Sequence, residues 1–368
     1  NTLLCCYQSS GEASLALLTI GAETELQDID TPWQSFNAIA ACGEEICFIA
    51  ASSSEFPRLN KASRRQDGSN TLSSRKIKST CELPLTDDYF SAAQHITFMN
   101  RHGQKVYANY YAPCNPQVTP EQDSAPPLIV ICHGGPSGQS GIALDPKKQF
   151  WTSRGFALLD VNYSGSTGYG REYRSRLDSN WGVLDVQDCC DAALYAVSQG
   201  LANREQLIIR GSSAGGYTVL SALTFEQVFC AGASYYGISE LASLATDSHK
   251  FESRYLDRLV GPYPEAESLY RQRSPIYSAQ QLDCPVIFFQ GLEDKVVPKE
   301  QTELMFDALA KKGVTVAAQY FENEQHGFRQ ASTITQTLEN ELNFYRYVFS
   351  LKPRQDIRFK GNIKLENS

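Results

Sequence analysis

The feature that most constrains the fold is an alternation of two kinds of segment between residues 128 and 350. Short apolar runs of strand length, such as Leu128–Cys132 and Val286–Gln290, alternate with segments of helical periodicity such as Val183–Gln199. Strands that alternate with helices in this way form a mainly parallel sheet covered on both faces. The sequence therefore predicts a doubly wound α/β fold for this part of the chain.

The first 87 residues have a different pattern, in which β-prone segments follow one another at a spacing of roughly 8–12 residues. These segments are Thr2–Tyr7, Ser14–Ile20, Glu25–Ile29, Ala38–Ala41 and Ile46–Ala51. Such spacing is typical of sandwiches, barrels and propeller blades, and the region has room for one or two four-stranded blades. The basic run Lys61–Lys78 is interrupted by Gly, Ser and Asn, and we interpret it as a solvated loop.

Composition excludes several classes of function. The chain has 368 residues, a net charge of -8 and 11 cysteines. An acidic chain is not expected to bind nucleic acid, because phosphate contacts need clustered Lys and Arg. No apolar stretch is long enough to suggest a membrane span, and the Cys and His spacing fits no zinc site, so no membrane partner, metal or cofactor is expected. An odd number of cysteines without CxxC pairs favours free thiols, which predicts a cytoplasmic location.

Residues 211–216 read Gly-Ser-Ser-Ala-Gly-Gly and fit the pattern G-x-S-x-G, with a predicted strand before them and an apolar helix after them. In this arrangement a sharp turn lifts the serine hydroxyl above the sheet, and the flanking glycines leave room for the strained backbone. A chance Gly/Ser turn is the alternative. The strand–turn–helix context favours Ser213 as a nucleophile, whereas Ser212 is at the wrong position in the pattern.

A serine nucleophile needs a base, because its hydroxyl is protonated at neutral pH. In G-x-S-x-G enzymes the acid and then the histidine follow the serine, which leaves His249 and His326. His249 lies at the start of a predicted helix, whereas His326 lies in the loop between the last strand and the closing helix. The order and the loop favour His326 as the base, with a surface histidine as the alternative. His133 precedes the serine and is interpreted as structural.

The acid is expected after a strand between the serine and the histidine. The strand ending at Gln290 leads into Glu293 and Asp294, and both fit the pattern. Asp294 is preferred, since aspartate is the commoner partner of the imidazole. Asp283 precedes the strand and would face the opposite edge of the sheet. Acyl transfer also needs two N–H donors for the oxyanion, one expected from Ala214 and the other from the loop 133–136.

Together these motifs resemble the catalytic domain of the prolyl oligopeptidase family of serine peptidases, in its acylaminoacyl-peptidase and dipeptidyl-aminopeptidase-like branch. The matching stretches are His133–Pro136, Val161–Gly170, Trp181–Gly182, the Ser213 turn, Gly291–Pro298 and His326–Phe328. The resemblance implies an α/β-hydrolase fold in which Ser213, Asp294 and His326 form the triad. It also implies that Gly135 and Ala214 donate to the oxyanion.

The family further implies an N-terminal β-propeller that limits access to small peptides. The strands of residues 1–87 resemble the last part of one, so we expect a C-terminal piece of a longer protein or a natural short form with an open active site. The predicted regions are partial propeller-like strands at 1–87, an α/β-hydrolase catalytic domain at 88–352 and a polar tail at 353–368. Ser164 stands where family members often carry an arginine, a change that affects loop packing and not the triad.

The expected function is hydrolysis of peptide bonds in short peptides by a serine-type peptidase, through an acyl-enzyme at Ser213. A carboxylesterase is the first alternative, because the same machinery cleaves esters, and a non-catalytic binding protein is the second. A short peptide is the expected partner, and a homo-oligomer is left open. Tyr235, Tyr236 and Phe251 are candidates for the substrate pocket, with core aromatics as the alternative reading for each.

Overall fold

The computed structural model describes residues 2–21, 23–43, 45–65, 69–81, 83, 85–118, 124–247 and 254–367. Their strands form two small antiparallel sheets and one large mixed sheet. This architecture confirms the predicted fold class of an all-β segment followed by an α/β sheet. Among the described residues, no helix has the length and apolar character needed to cross a bilayer.

The two small sheets occupy the first 79 residues. The first contains β1 (Thr2–Ser9), β2 (Glu12–Thr19) and β3 (Glu25–Ile29), and the second contains β4 (Ser35–Cys42), β5 (Glu45–Ala51), β6 (Arg58–Arg64) and β7 (Leu72–Ser79). Side chains from both sheets bury a shared apolar core around Leu15, Trp33 and Phe48. The loop connecting β1 and β2 reaches the larger part of the molecule, where the Ser10 N–H donates to the carbonyl oxygen of Gly168 at 2.8 Å.

The interpretation of the basic run as a solvated loop was wrong, since most of it lies in the β6–β7 hairpin. In β6, Asn60 and Ala62 face inward while Lys61 lies between them, and most of β7 is exposed. Arg75 and Lys76 therefore lie on an edge strand, where charged side chains discourage pairing with another chain. Charge alone does not distinguish such an edge strand from a loop.

The large sheet has the order β16-β15-β14-β13-β12-β10-β11-β9-β8. Its strands are β8 (Gln94–Met99), β9 (Lys105–Tyr111), β10 (Leu128–Cys132), β11 (Ala157–Asn162), β12 (Leu207–Ser212), β13 (Ala231–Tyr235), β14 (Val286–Gly291), β15 (Val316–Phe321) and β16 (Ile363–Glu366). The strands from β10 to β15 are mutually parallel, whereas β8, β9 and β16 pair antiparallel at the two edges. β16 falls in the predicted polar tail, where alternating Ile363 and Leu365 pack against the sheet.

The helices of the described residues connect these strands. They are α1 (Pro146–Thr152), α2 (Gly170–Ser175), α3 (Leu184–Ser198), α4 (Ala214–Phe225), α5 (Leu241–Asp247), α6 (Tyr255–Leu259), α7 (Glu267–Arg273), α8 (Glu300–Lys312) and α9 (Ala331–Val348). One face of the sheet packs against α3, α4 and α8, and the other against α1 and α9. Because both faces are covered, the central strands are apolar without alternation, as the sequence pattern predicted.

Candidate active site

The candidate nucleophile lies at the carboxyl end of β12, at the turn into α4. Ser213 has φ 57° and ψ -123°, a conformation that side-chain-bearing residues rarely adopt. A Cβ atom added at Gly211 would overlap the backbone of Gly215, and one at Gly215 would overlap the carbonyl oxygen of Cys132. The turn is therefore strained at Ser213 and closes only because its flanks lack side chains, as the motif predicted.

Ser213, His326 and Asp294 come together across the carboxyl edge of the sheet. Ser213 Oγ lies 2.8 Å from His326 Nε2, and His326 Nδ1 lies 2.8 Å from Asp294 Oδ2. The Asp294 side chain has no solvent exposure, while that of His326 is 23 % exposed. A serine that donates to a histidine, which in turn donates to a buried carboxylate, is the arrangement that activates a hydroxyl for attack on a carbonyl carbon.

The carboxylate is held in place by its own turn. Asp294 Oδ1 accepts the N–H groups of Val296 at 2.8 Å and Val297 at 2.9 Å, which leaves Oδ2 for the histidine. Glu293 is exposed, and of the two candidate acids it is Asp294 that contacts the histidine. Asp283 pairs with Lys312 at the other end of β14.

The loop that carries the histidine depends on a residue that the sequence reasoning missed. Glu324 is 2 % exposed and accepts the N–H groups of Arg329 at 3.0 Å and Gln330 at 2.9 Å. Its carboxylate thereby closes the loop around His326 just before α9 begins. An acidic residue in a loop is usually solvated, so only its position two residues before His326 could have suggested this role.

The two expected oxyanion donors have free N–H groups. Within the described part of the chain, neither the N–H of Gly135 nor that of Ala214 has a hydrogen-bond acceptor. Gly135 has φ 126°, and a Cβ atom there would lie 2.8 Å from the nitrogen of Gly138, so the position requires glycine. Two unpaired N–H groups next to an activated serine can stabilise an oxyanion formed at that point.

Buried side chains hold the loop 133–138, here called the oxyanion loop, in place. The hydroxyl of Tyr163 lies 2.8 Å from the carbonyl oxygen of His133 and 3.2 Å from that of Pro136. His133 Nε2 lies 2.7 Å from Ser166 Oγ, and burial lowers the pKa of this histidine. These contacts agree with the structural role that the sequence order suggested for His133, whose ring nitrogens contact the Gly134 carbonyl and Ser166.

The structure describes two of the three aromatic candidates for a substrate pocket. Tyr235 is 7 % exposed and its hydroxyl donates to the buried carboxylate of Glu341, so most of its ring is packed in the core. Tyr236 has φ 39° and its ring centroid lies 4.9 Å from that of His326, with an interplanar angle of 62°. Both tyrosines line a cavity of about 430 Å³ between the strand ends and α9. Phe251 and His249 lie outside the described residues.

Two buried carboxylates of α3 support the loops around the site. Asp185 accepts from Thr218 Oγ1 in α4 and from the N–H of Gly182, and burial raises the pKa of Asp185 to about 6. Asp188 accepts from Asn100 Nδ2 at 2.8 Å and from the N–H of Ser164 at 2.7 Å, and burial raises its pKa as well. The backbone of Ser164 thus has a fixed partner at the position where the family often carries an arginine.

Known proteins resemble this chain over its α/β part, and solved structures also resemble it over the two small sheets. Residues 143–352 match the model of the prolyl oligopeptidase family. The chain is 33 % identical to dipeptidyl peptidase family member 6 of Caenorhabditis elegans, over 62 % of this chain and 31 % of the relative. It is 31 % identical to dipeptidyl aminopeptidase BIII of Pseudoxanthomonas mexicana, over 56 % of this chain and 31 % of the relative.

A solved structure of a Mycobacterium tuberculosis puromycin-hydrolyzing peptidase is 36 % identical and superposes with a TM-score of 0.91, covering 98 % of this chain and 54 % of that one. The chain therefore spans about half of that structure, and its matches cover about a third of the two curated relatives. The family match includes more than half of the chain, with the serine turn, the acid turn and the histidine loop inside it. This chain belongs to the prolyl oligopeptidase family.

Proposed function

We propose that this protein is a serine-type peptidase that hydrolyses peptide bonds of short peptides through an acyl-enzyme at Ser213. The observation that carries the proposal is the continuous hydrogen-bonded chain from Ser213 through His326 to Asp294, beside two expected oxyanion donors whose N–H groups have no acceptor among the described residues. This arrangement supplies a nucleophile, a base, a buried anion and oxyanion donors at one point.

In the proposed reaction Ser213 Oγ attacks the carbonyl carbon of the scissile bond while its proton passes to His326 Nε2. The carbonyl oxygen becomes an oxyanion that accepts from the N–H groups of Gly135 and Ala214, and Asp294 stabilises the imidazolium. The C–N bond then breaks as His326 returns the proton to the leaving amine. A water molecule, deprotonated by His326, hydrolyses the resulting ester and regenerates the serine.

The relatives support a peptide substrate. Two are named as a dipeptidyl peptidase and a dipeptidyl aminopeptidase, and the solved structure as a puromycin-hydrolyzing peptidase. We propose that aminoacyl-, dipeptidyl- and acylaminoacyl-4-nitroanilides include a substrate of this chain, since each presents an amide bond close to the start of a short peptide. Comparison with matched 4-nitrophenyl esters tests the carboxylesterase alternative, which predicts ester cleavage without amide cleavage.

The nucleophile is tested by covalent labelling with a fluorophosphonate, which reacts with activated serines. Wild type and Ser212→Ala should be labelled, and Ser213→Ala should not. Ser212 is the matched control, because it is the adjacent serine of the same turn. Labelling that persists in Ser213→Ala would overturn the assignment, and wild-type protein that neither labels nor cleaves would favour a binding protein.

We also propose a cytoplasmic location for this part of the protein. The support is that all eleven cysteines are free thiols, including the buried Cys132 and Cys189, whose sulfurs lie 3.4 Å apart in a hydrogen bond and not in a disulfide. Neighbouring thiols that have not formed a disulfide are typical of proteins in a reducing compartment. Fractionation of cells that express the natural protein tests this, and recovery from an oxidising compartment would contradict it.

A further inference from the structure

The oxyanion loop has a hydrogen-bond partner for most of its carbonyl groups. The Tyr163 hydroxyl serves those of His133 and Pro136, and the N–H of Thr167 donates to that of Gly138 at 2.8 Å. Both donors lie in the connection between β11 and α2. Gly135, whose N–H is the expected oxyanion donor, has no side chain that could restrict its own rotation.

The carbonyl of Gly135 is held from a different element, by Tyr255 at the start of α6. The Tyr255 hydroxyl lies 3.2 Å from the carbonyl oxygen of Gly135, 2.9 Å from Ser137 Oγ and 3.4 Å from the Ser137 nitrogen. A phenol has one proton to donate and two lone pairs. Because a carbonyl can only accept, the phenol proton goes to Gly135, and both the N–H and the hydroxyl of Ser137 donate to Tyr255.

These three bonds join residues that are about 120 positions apart in the sequence. Their effect is local, because fixing the Gly135 carbonyl limits rotation about the backbone bonds of Gly135, whose N–H is an expected oxyanion donor. A displacement of a fraction of an ångström at an oxyanion donor weakens its bond to the transition state more than it changes substrate binding. Loss of the bond between Tyr255 and the Gly135 carbonyl is therefore expected to lower the rate of the chemical step.

We propose that Tyr255 is a positioning residue of the oxyanion hole, and that its hydroxyl aims the Gly135 N–H by holding the Gly135 carbonyl and Ser137. This inference rests on the proposed function, since it assumes acyl transfer at Ser213. In the described contacts the Tyr255 hydroxyl bonds to Gly135 and Ser137 and to no residue of the triad, so its proposed action is through the oxyanion loop.

The test compares Tyr255→Phe, which removes one oxygen atom, with Tyr263→Phe as the matched control. Tyr263 follows α6 in the same segment, and its hydroxyl has no hydrogen-bond partner in the described part of the chain. We expect Tyr255→Phe to lower kcat about tenfold with KM changed less than about twofold, a smaller loss than the roughly hundredfold or more from removing an oxyanion donor. Tyr263→Phe should keep the wild-type kcat.

Ser137→Ala provides a second measurement of the same set of bonds. It removes one of the two groups that donate to Tyr255, so its effect and that of Tyr255→Phe should be less than additive in the double variant. Additive losses would overturn the proposal, as would an unchanged kcat in Tyr255→Phe or a change confined to KM, which would indicate direct substrate contact.

The labelling rate with a fluorophosphonate separates this proposal from the proposed function. The reagent also places a negatively charged oxygen in the oxyanion hole, so Tyr255→Phe should be labelled about tenfold more slowly than wild type. A wild type that is labelled but cleaves no peptide would refute the peptidase proposal, and the labelling rates would still decide the role of Tyr255. Equal labelling rates in wild type and Tyr255→Phe would overturn that role. If Tyr255→Phe does not fold, the labelling rate of Ser137→Ala decides it.

Discussion

Asp294 and His326 meet through one carboxylate oxygen, with Oδ2 2.8 Å from the imidazole Nδ1. The other oxygen of Asp294 is occupied by two backbone N–H groups of its own turn. The carboxylate is therefore fixed before any substrate arrives, and it accepts the Nδ1 proton. That tautomer leaves Nε2 free to accept from Ser213.

Replacement of Asp294 by asparagine should reverse this tautomer. The amide oxygen would keep the two backbone bonds, and the amide nitrogen would then donate to Nδ1, which places the imidazole proton on Nε2. We expect kcat to fall by about 10⁴ with little change in KM, because a histidine in this tautomer cannot accept the serine proton. Steady-state kinetics on a cleaved nitroanilide measure this. The exposed Glu293→Gln is the control, and a loss below about tenfold in Asp294→Asn would contradict the assigned acid.

Gly215→Ala should destabilise the whole domain, since an added Cβ would overlap the carbonyl oxygen of Cys132 at the end of β10. Neither backbone can move freely, because β10 and β12 are paired at the centre of the sheet. We expect a loss of about 1–3 kcal/mol in the free energy of unfolding, measured by urea denaturation. Gly21→Ala is the control, because the closest atom to its Cβ would be 3.5 Å away. Equal stability of the two variants would contradict the close packing of the serine turn.

Glu341→Gln should also be strongly destabilising. Glu341 is fully buried in α9 and accepts from Arg210 Nε at 2.9 Å and Arg210 Nη2 at 3.1 Å. A neutral amide would leave the buried guanidinium without its counter-charge, which costs about 3–5 kcal/mol. Thermal and urea denaturation measure the change. Glu303→Gln, which breaks an exposed pair with Lys299, should change stability by less than about 1 kcal/mol. Similar losses of stability in both variants would contradict the larger cost expected for breaking the buried pair of Glu341 and Arg210.

Much of the α/β part was predictable from periodicity. The predicted strand Leu128–Cys132 has the observed bounds of β10, and the predicted helix Val183–Gln199 is α3 extended by one residue at each end. Both elements have a long or uninterrupted apolar pattern. The residues that this pattern predicts to be buried are the ones that the folded domain buries. By contrast, α1 was missed, because its seven residues begin with a proline and include two lysines.

The site was predictable where a motif fixes the backbone, and not where contacts are distant in sequence. The order of Ser213, Asp294 and His326 suggested residues that the structure brings within hydrogen-bonding distance. Tyr255 contacts the oxyanion loop from more than 100 residues away, and no spacing rule predicts such a pairing. The helix expected to begin at His249 is confirmed over its described part, as α6 (Tyr255–Leu259).

The free energy of unfolding should depend on pH through Asp185, whose buried carboxyl accepts from Thr218 in α4. Burial raises the pKa of Asp185 from 3.8 to about 6. Between these two values the folded state binds more protons than the unfolded chain, so the free energy of unfolding falls as the pH rises. A shift of about two units corresponds to a loss on the order of 3 kcal/mol, complete above about pH 6.

Asp185→Asn cannot titrate, so its stability relative to wild type should rise by that amount between about pH 4 and pH 7. Thr218→Val keeps the carboxyl but removes a hydrogen bond that lowers the pKa of Asp185, so its loss of stability should extend to higher pH than in wild type. Urea denaturation across this range measures both, and a difference between Asp185→Asn and wild type that is independent of pH would contradict the effect of burial on this carboxyl.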